Sequence, residues 1–433
     1  MNEGPVSLAK PPVEIFRSGK KWAHQASNMA YIKLGVRNVV RHRSRTTFAL
    51  SAIGFGVVAL LLANGFIEWI YWATRESTIR NGLGHIQVMR PGYRDSGAAD
   101  PLSYLLPESS PQLFALDATP EAKAVTPRLN FGGLISHGDM TLSFLGEGVN
   151  PERESLVSSS TRVSHGEALS SLDPKGILLG LGLAAKLGVK VGERVVLVAT
   201  SASGGINAVE GHVRGLFATE VKSYDDLAVR LPIDLARTLL KVSGSTAWVI
   251  GLRETELTKP VVERLGAQHR SAKLEFVPWY ELSDFYAKTV ALLSSQMNFV
   301  RLLIGLIIVL SISNMLIMNV LERTGEIGTM MAMGSRRRDI LMLFFGEGLL
   351  LGALGGAAGV VVGLVLAQLI SAVGIPMPPP PGRSAGYSAE ILVTWGMAAG
   401  AFALAFGTTL LAGVYPAWKA SRMEIVDALR HNR

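Results

Sequence analysis

The chain has 433 residues, of which 48% are hydrophobic, and its mean hydropathy of +0.31 is higher than soluble domains usually reach. It contains no cysteine, which excludes a disulfide framework, a thiolate metal site and a cysteine nucleophile. Its formal net charge of +8 is concentrated in a few segments beside apolar runs. This distribution favours contact with anionic lipid headgroups and argues against nucleic-acid binding.

The first 45 residues form a basic segment with nine Lys or Arg and two Glu. Within Met29–Arg45, apolar and basic side chains are interleaved as in an amphipathic helix that lies in a membrane interface. We therefore predict an interfacial helix on a cytoplasmic N-terminal segment, residues 1–45. The alternative is a basic flank without helical structure.

Four long, almost uncharged stretches follow, and they are unevenly spaced. A helix needs roughly 20 apolar residues to cross a bilayer core of about 30 Å. The predicted transmembrane helices cover residues 46–67, 299–320, 340–375 and 391–417. The order of one helix, a large insert and three closely spaced helices indicates a membrane protein with a globular head. This order argues against a soluble enzyme.

The basic residues predict the orientation of the helices. Arg323 and Arg336–Arg338 lie between the second and third helices, and further basic residues lie in the tail, residues 418–433. Because Lys and Arg near membrane ends mark the cytoplasmic side, these segments and the N-terminal segment are predicted to be cytoplasmic. The insert, residues 68–298, and the proline-rich loop, residues 376–390, then lie outside.

The insert reads as an α+β domain, because short apolar strands alternate with turns and helices. Its two ends, about residues 84–160 and 246–290, are predicted to form one α/β part. The stretch between them, about residues 161–245, has several short strands and is predicted to be a β-rich subdomain.

The cytoplasmic loop at residues 321–339 contains the most informative motif. Glu322 and Glu326 are four residues apart, which predicts that both lie on one helical face. The apolar residues of the motif predict a second face that binds a partner, and a glycine-serine pair ends the helix. The predicted coupling residues are Glu322, Arg323, Glu326, Ile327, Met330, Met333 and Gly334. The alternative is a solvated loop between two helices.

The third predicted helix carries Gly348, Gly352 and Gly356 at four-residue steps. Small residues on one face allow two helices to approach closely, so these glycines are predicted packing positions. A general abundance of glycine in membrane helices would explain them equally well.

Several chemical functions lack the residues they need. The sequence has no GxxxxGK[ST] phosphate-binding loop, no HExxH zinc motif and no GxSxG nucleophile motif. We therefore predict no catalytic residues, no metal site and no cofactor within this chain. An anchored enzyme would also leave the motif at residues 319–338 unexplained.

Several segments resemble one family of membrane subunits. The run ERTGEIGTMMAMGSRRRDI, residues 322–340, resembles the signature of MacB/LolC/LolE/FtsX-type ABC transporter permeases. The tail VYPAWKASRMEIVDALR, residues 414–430, resembles the family's ending, and the patterns at 125–129, 146–154 and 179–197 are similar to its periplasmic core domain. Gly325, Met331 and Ile425 depart from the family pattern.

The resemblance implies a four-helix membrane subunit with an α/β porter part and an inserted β-rich part in the periplasm. It implies a bacterial inner-membrane location, a dimer with a second permease copy or paralogue, and a separate dimeric ATPase that binds ATP and Mg. The coupling residues would contact that ATPase, and a periplasmic adaptor or a lipoprotein would be a further partner.

The expected function is mechanotransmission, in which ATP hydrolysis in the partner moves the periplasmic head. The expected task is the export or extraction of a lipoprotein, a lipid or another hydrophobic substrate. The alternative is an FtsX-like signalling subunit that controls a periplasmic cell-wall hydrolase. The large insert argues against this alternative, because signalling relatives have smaller heads.

Overall fold

The computed structural model describes residues 43–97, 100–158, 162–219, 221–378 and 387–422. The predicted interfacial helix up to residue 42, the middle of the predicted 376–390 loop and the tail beyond residue 422 lie outside this part of the chain. The described residues form two compact units. The membrane unit comprises 43–69, 293–375 and 390–422, and the head comprises 70–292 with 376–378 and 387–389.

The helices in chain order are α1 Arg43–Thr78, α2 Tyr93–Ser96, α3 Pro111–Asp117, α4 Pro151–Val157, α5 Leu181–Leu187, α6 Lys222–Asp225, α7 Ile233–Leu240, α8 Thr258–Gln268, α9 Trp279–Leu282, α10 Asp284–Glu322, α11 Thr324–Ala332, α12 Arg337–Val373 and α13 Trp395–Ser421. The strands are β1 Ile86–Met89, β2 Ala122–His137, β3 Met140–Val149, β4 Arg162–Gly166, β5 Gly176–Gly180, β6 Arg194–Thr200, β7 Ile206–Ala218, β8 Ala228–Pro232, β9 Ala247–Leu252, β10 Glu275–Pro278, β11 Ile375–Met377 and β12 Tyr387–Ala389.

Four helices of the described chain, namely α1, α10, α12 and α13, are long and apolar enough to cross a membrane. All four extend past the predicted spans at one end or both, and the largest extensions are those of α1, which continues to Thr78, and of α10, which begins at Asp284. Hydropathy marks only the part of a helix that lies in hydrocarbon. Charged residues such as Glu68 and Lys288 favour helix, so the helices continue beyond the apolar stretch.

The membrane unit buries small and branched side chains between its helices and exposes large apolar ones. Its central cluster consists of Ala49, Ile53, Val57, Leu60, Leu61, Ile308, Ile312, Leu316, Leu351, Ala398, Ala401, Ala405 and Ala412. On α10, by contrast, Leu302, Leu306 and Leu310 remain more than half exposed, at 66%, 51% and 61%. Small residues inside and large apolar residues outside are the packing pattern of helices surrounded by lipid.

The head is built on one ten-stranded sheet. Its strand order is β10-β1-β9-β2-β3-β8-β5-β7-β4, and β6 pairs with both β2 and β7. Strands β2, β3, β8, β5, β7 and β6 therefore form a closed circuit, because the first and last members of this series are hydrogen-bonded to each other. A closed circuit of strands is a small barrel, and β10, β1 and β9 extend the sheet from one side of β2.

The barrel changes the predicted division of the insert. The β-rich part was predicted to begin near residue 161, but two of the six barrel strands, β2 and β3, lie before that position. Strand β2 pairs with β9 over Ala122–Arg128 and with β6 over Leu134–Ser136, so it belongs to both parts of the head. The boundary at 161 is therefore corrected, because one 16-residue strand supplies both parts.

Two hydrophobic clusters correspond to these two parts of the head. Leu129, Phe131 and Ile135 of β2 lie in the barrel cluster, whereas Val125 of the same strand lies in the other cluster with Trp248. All five side chains are at most 6% exposed. The two parts of the head are thus joined through a continuous strand, not through a linker.

Candidate functional site

The predicted ATPase-binding residues lie on residues 321–339, which run from the end of α10 to the start of α12 and which we term the coupling segment. Helix α11 occupies its middle. At Arg323 the backbone leaves the helical region, with φ −100° and ψ 15°, and this separates α10 from α11. Gly334 has φ +97°, a conformation that glycine adopts without strain, and it ends the segment's helical part. The Asp339 carboxylate accepts the Arg336 N–H at 2.8 Å and caps α12.

The predicted common face of Glu322 and Glu326 is not present. Glu322 is the last residue of α10, whereas Glu326 lies in the first turn of α11. The helical interruption at Arg323 turns one continuous helix into two. Both glutamates are exposed, so the segment still presents acidic side chains, but on two elements.

Ile327 does not offer a docking surface, which corrects a second prediction. Its side chain is fully buried, in a cluster with Val320, Ile340, Phe344, Ala417 and Ala420, and Met330 and Met331 pack against that cluster. Burying an isoleucine contributes roughly 1.5–3 kcal/mol. The apolar face of α11 therefore holds the helix against the ends of α10, α12 and α13. The exposed residues of the segment include Glu326, at 58%, and Met333 directly after the helix, at 76%.

A buried ion pair fixes the start of α11. The Arg323 guanidinium contacts Glu347 of α12 at 3.0 Å and Glu326 at 2.9 Å. The side chain of Glu347 is only 5% exposed and that of Arg323 only 14%. Because an unpaired carboxylate inside an apolar helix bundle is costly, the pair holds Arg323 in place. In the sequence, Glu347 is an isolated charge in an apolar run. A carboxylate in such a place needs a nearby cation, and this requirement could have indicated Arg323.

Two sets of glycines bring α12 close to two different helices. Gly352 and Gly356 lie against α13: an added Cβ would be 3.3 Å from Phe406 and 2.9 Å from Phe402, respectively. Gly348 is less closely approached, since its nearest such contact is the carbonyl oxygen of Thr409 at 3.9 Å. This is the face on which the sequence predicts helix packing.

The second set is Gly355, Gly359 and Gly363, and it lies against α1. A Cβ at Gly359 would be 2.7 Å from the Val57 Cβ and 2.9 Å from the Gly54 carbonyl oxygen. At Gly359 the backbone of α1 lies opposite as well, whereas Gly355 and Gly363 face side chains of α1, those of Ile53 and Leu61. The missing side chains on α12 let the two helices approach closely. These glycines are visible in the sequence pattern, but the pattern does not show that they face α1 and not α13.

In the head, two buried arginines meet the turn that follows α1. This π-helical turn, Ile79–Leu83, contains Gly82 at φ +124°. Arg128 of β2 donates to the Gly82 carbonyl oxygen, and a Cβ at Gly82 would be 3.1 Å from a terminal nitrogen of Arg230. Both arginine side chains are 4% exposed. Glycine at this position therefore lets the chain pass directly beside both cations.

Two glutamates balance these charges. Arg128 pairs with Glu154 of α4, and Arg230 of β8 pairs with Glu147 of β3 at 2.8 Å. Burial by itself would raise the pKa of Glu147, but the charges of Arg230 and Arg128 outweigh it and hold the pKa below its ordinary value. We term Arg128, Glu147, Glu154 and Arg230 the buried charge network; it connects the turn after α1 to three adjacent strands.

His85 provides a further connection at the same end of α1. Its Nδ1 accepts the Leu252 N–H at 3.0 Å, so the ring proton is on Nε2, which lies 3.2 Å from the Thr255 hydroxyl oxygen. The Thr255 hydroxyl donates to Glu76 of α1 at 2.9 Å. Burial lowers the pKa of His85 to about 4.

This lowered pKa predicts an acid-sensitive head. The unfolded chain protonates His85 near pH 6.5, but the folded chain does so only near pH 4, so the stabilisation is complete above pH 6.5 and is lost as the pH falls to 4. At about 1.4 kcal/mol per unit, the loss is about 3 kcal/mol. Denaturant unfolding of the full-length protein between pH 7 and pH 4 measures it. The His85→Asn variant should lose less stability over this range than His212→Asn, a control at a more exposed histidine, and equal losses would contradict the assignment.

Known proteins resemble this chain over nearly all of its length. The FtsX-like permease C-terminal model matches residues 298–425, and the MacB-like periplasmic core domain model matches residues 46–268, more than half of the chain. The chain belongs to the MacB/FtsX-type ABC transporter permease family. The family resemblance and the fold class predicted from the sequence are thereby confirmed.

Similar curated proteins are longer than this chain. The macrolide export ATP-binding/permease protein MacB of Brucella abortus is 27% identical over 97% of this chain and 62% of its own length. MacB of Wolinella succinogenes is 28% identical over 92% and 60%, and the pyoverdine export ATP-binding/permease protein PvdT of Pseudomonas fluorescens Pf0-1 is 30% identical over 51% and 32%. The chain thus spans less than two thirds of each of these relatives.

A solved structure of the periplasmic region of MacB from Actinobacillus actinomycetemcomitans covers 47% of this chain and 92% of its own, with 13% identity and a TM-score of 0.35. Contact of Glu322, Arg323, Glu326, Met330, Met333 and Gly334 with an ATPase remains a prediction, whereas the burial of Ile327 argues against direct contact by that residue. In the described residues, no group of three or more His, Asp or Glu side chains could hold a metal ion.

Proposed function

We propose that this permease transmits ATP-driven motion from an ATPase outside these 433 residues to its head, and that the transporter exports or extracts a lipoprotein, a lipid or another hydrophobic substrate. The names of its relatives combine ATP-binding and permease functions, whereas this sequence has no phosphate-binding loop. ATP and Mg would therefore bind to the ATPase, and the coupling segment would face the cytoplasm.

The observation that carries the proposal is the anchoring of the coupling segment. Ile327 is buried, and Arg323 is held by Glu347, whereas Glu326 and Met333 stay exposed on the same short segment. A partner can displace an element that is anchored by buried contacts and exposed on its other side. Because the element is anchored, its displacement also moves the helices that hold it. A loosely held loop would move without displacing those helices.

Continuous helices would carry motion from the coupling segment toward the head. Helix α10 runs without interruption from Asp284 to Glu322, a length of roughly 58 Å at 1.5 Å per residue. It joins the coupling segment to the part of the head that contains β10 and α9. Helix α1 likewise continues into head residues, where the buried charge network holds the turn that follows it. A second permease copy or paralogue would complete the transporter, and an adaptor or lipoprotein would act at the head.

The test is a charge reversal at the exposed position. In a complex with the ATPase, Glu326→Lys should reduce ATP turnover at least tenfold, because placing the wrong charge at an interface costs several kcal/mol. Glu390→Lys makes the same change at an exposed residue outside the coupling segment and is the control. Both variants should insert into the membrane normally. Normal turnover of Glu326→Lys would remove the proposed role of this residue.

A further inference from the structure

An open cleft of about 740 Å³ lies on the head, apart from the coupling segment and the buried charge network. Its volume is in the range of small-molecule sites. It lies between the end of β1, the segment before α3 and the C-terminal end of α7. The lining residues include three cations and no carboxylate, and they are Arg90, Leu105, Leu106, Pro107, Arg237, Thr238, Lys241, Val242, Ser243 and Gly244.

The walls of the cleft are held in place by backbone bonds. The Leu106 N–H donates to the Ser245 carbonyl at 2.7 Å, and the Ser245 N–H donates back at 3.0 Å. A Cβ at Gly244 would be 2.5 Å from the Leu106 carbonyl oxygen, so the close approach requires glycine. Arg237 Nε also donates to the Gly244 carbonyl at 3.3 Å. The cleft is therefore formed before any ligand arrives.

Two of its three cations have no ionic partner among the residues that the structure describes. Arg237 is paired with Glu108 at 2.8 Å and with Asp234 at 3.1 Å. In the part of the chain that the structure describes, no carboxylate lies within 4.0 Å of Arg90 or Lys241. Arg90 donates Nε to the Leu105 carbonyl at 3.4 Å, which leaves its two terminal nitrogens available.

The backbone at Lys241 is unusual. Lys241 ends α7 with φ 56° and ψ 49°, the left-handed conformation that glycine adopts freely and lysine only at a conformational cost. Only one other described non-glycine residue has a positive φ, Lys273 at 47°, and it does not line the cleft. Strained residues that persist at a cleft often serve a ligand.

We propose that this cleft binds a phosphate group carried by a small, partly apolar molecule. Arg90 supplies a planar pair of donors that matches phosphate oxygens, and Lys241 supplies a point charge. Leu105, Pro107 and Val242 give the rest of the molecule an apolar wall. Phosphate binding in this cleft does not depend on ATP coupling. A negative result for the cleft would therefore not contradict the proposed transport function, and the converse also holds.

Calorimetric titration of the full-length protein in neutral detergent tests the cleft with inorganic phosphate and with dihexanoyl phosphatidic acid. Both probes should bind, and binding should weaken as salt is raised. Arg90→Gln and Lys241→Gly should each reduce affinity at least tenfold. Tighter binding of the lipid supports a phosphate carried by a partly apolar molecule. Equal binding of the two probes would overturn the role of the apolar wall and would leave a site for free phosphate.

Lys273→Gly is the matched control, because it makes the same replacement in the same backbone conformation outside the cleft. Both lysine-to-glycine variants should raise the thermal unfolding midpoint by relieving strain. Only Lys241→Gly should also lose phosphate affinity. Equal losses in the two variants, or no binding of either probe to the unaltered protein, would overturn the proposal.

Discussion

Arg128→Ala is expected to reduce the stability of the head by about 3–5 kcal/mol, because it removes one partner of a buried ion pair. Glu154 would remain buried at 8% exposure without its cation, and the Gly82 carbonyl would lose its donor. Domains have only about 5–15 kcal/mol of net stability, so this loss would be a large share of it. Denaturant unfolding of the full-length protein, followed by tryptophan fluorescence, measures the loss.

The control for this prediction is an arginine whose ion pair is exposed. Arg194 contacts Glu210 at 3.1 Å, but its side chain is 81% exposed, so Arg194→Ala should cost at most about 1 kcal/mol. The double replacement Arg128→Met with Glu154→Met removes both charges together. It should cost less than the sum of the two single replacements, because no charge is left unpaired. Additive costs would show that the two side chains are not energetically coupled.

The membrane helices could be predicted from the sequence because long uncharged runs have few other interpretations. The predicted spans 46–67 and 299–320 lie inside α1 and α10, but hydropathy could not show that both helices continue through polar residues. The hydropathy of a stretch indicates whether it lies in lipid or in water. The length of a helix depends also on the helix propensity of its residues and on contacts in the head.

The architecture of the head could be predicted only in outline. The sequence indicates short strands and turns, but closure of the barrel depends on β2 pairing with β6 along one edge and with β3 along the other. The extension of the sheet depends on β2 pairing with β9. Such pairings join residues far apart in the chain. Arg128 and Arg230 are likewise distant in sequence, and an isolated arginine in a strand looks like an ordinary surface residue.

The coupling segment shows the limit of helical periodicity. The spacing of Glu322 and Glu326 predicts one face only if the helix is continuous, and the interruption at Arg323 involves neither glycine nor proline at that position. The burial of Ile327 could not be inferred either, because the residues that cover it come from α10, α12 and α13. A short amphipathic helix does not reveal whether its apolar face meets a partner or its own protein.

Gly359→Ala is expected to separate α1 from α12, since its new Cβ would meet the Val57 Cβ at 2.7 Å and the Gly54 carbonyl oxygen at 2.9 Å. Overpacking a tight contact typically costs about 1–3 kcal/mol, and the upper end applies where backbone lies opposite. The thermal unfolding midpoint in detergent should therefore fall. ATP turnover in the complex should fall with it, because α12 also holds the coupling segment through Glu347.

Gly346→Ala provides the control on the same helix, where an added Cβ meets nothing within 4 Å. Both variants gain the same helix propensity, about 1 kcal/mol in favour of alanine, so any difference between them reports packing alone. Gly346→Ala should leave the unfolding midpoint unchanged or raise it. If Gly359→Ala behaves in the same way, the close contact between α1 and α12 is not needed for the stability of the membrane unit. If it lowers the midpoint but leaves ATP turnover intact, the contact stabilises the bundle without taking part in transmission.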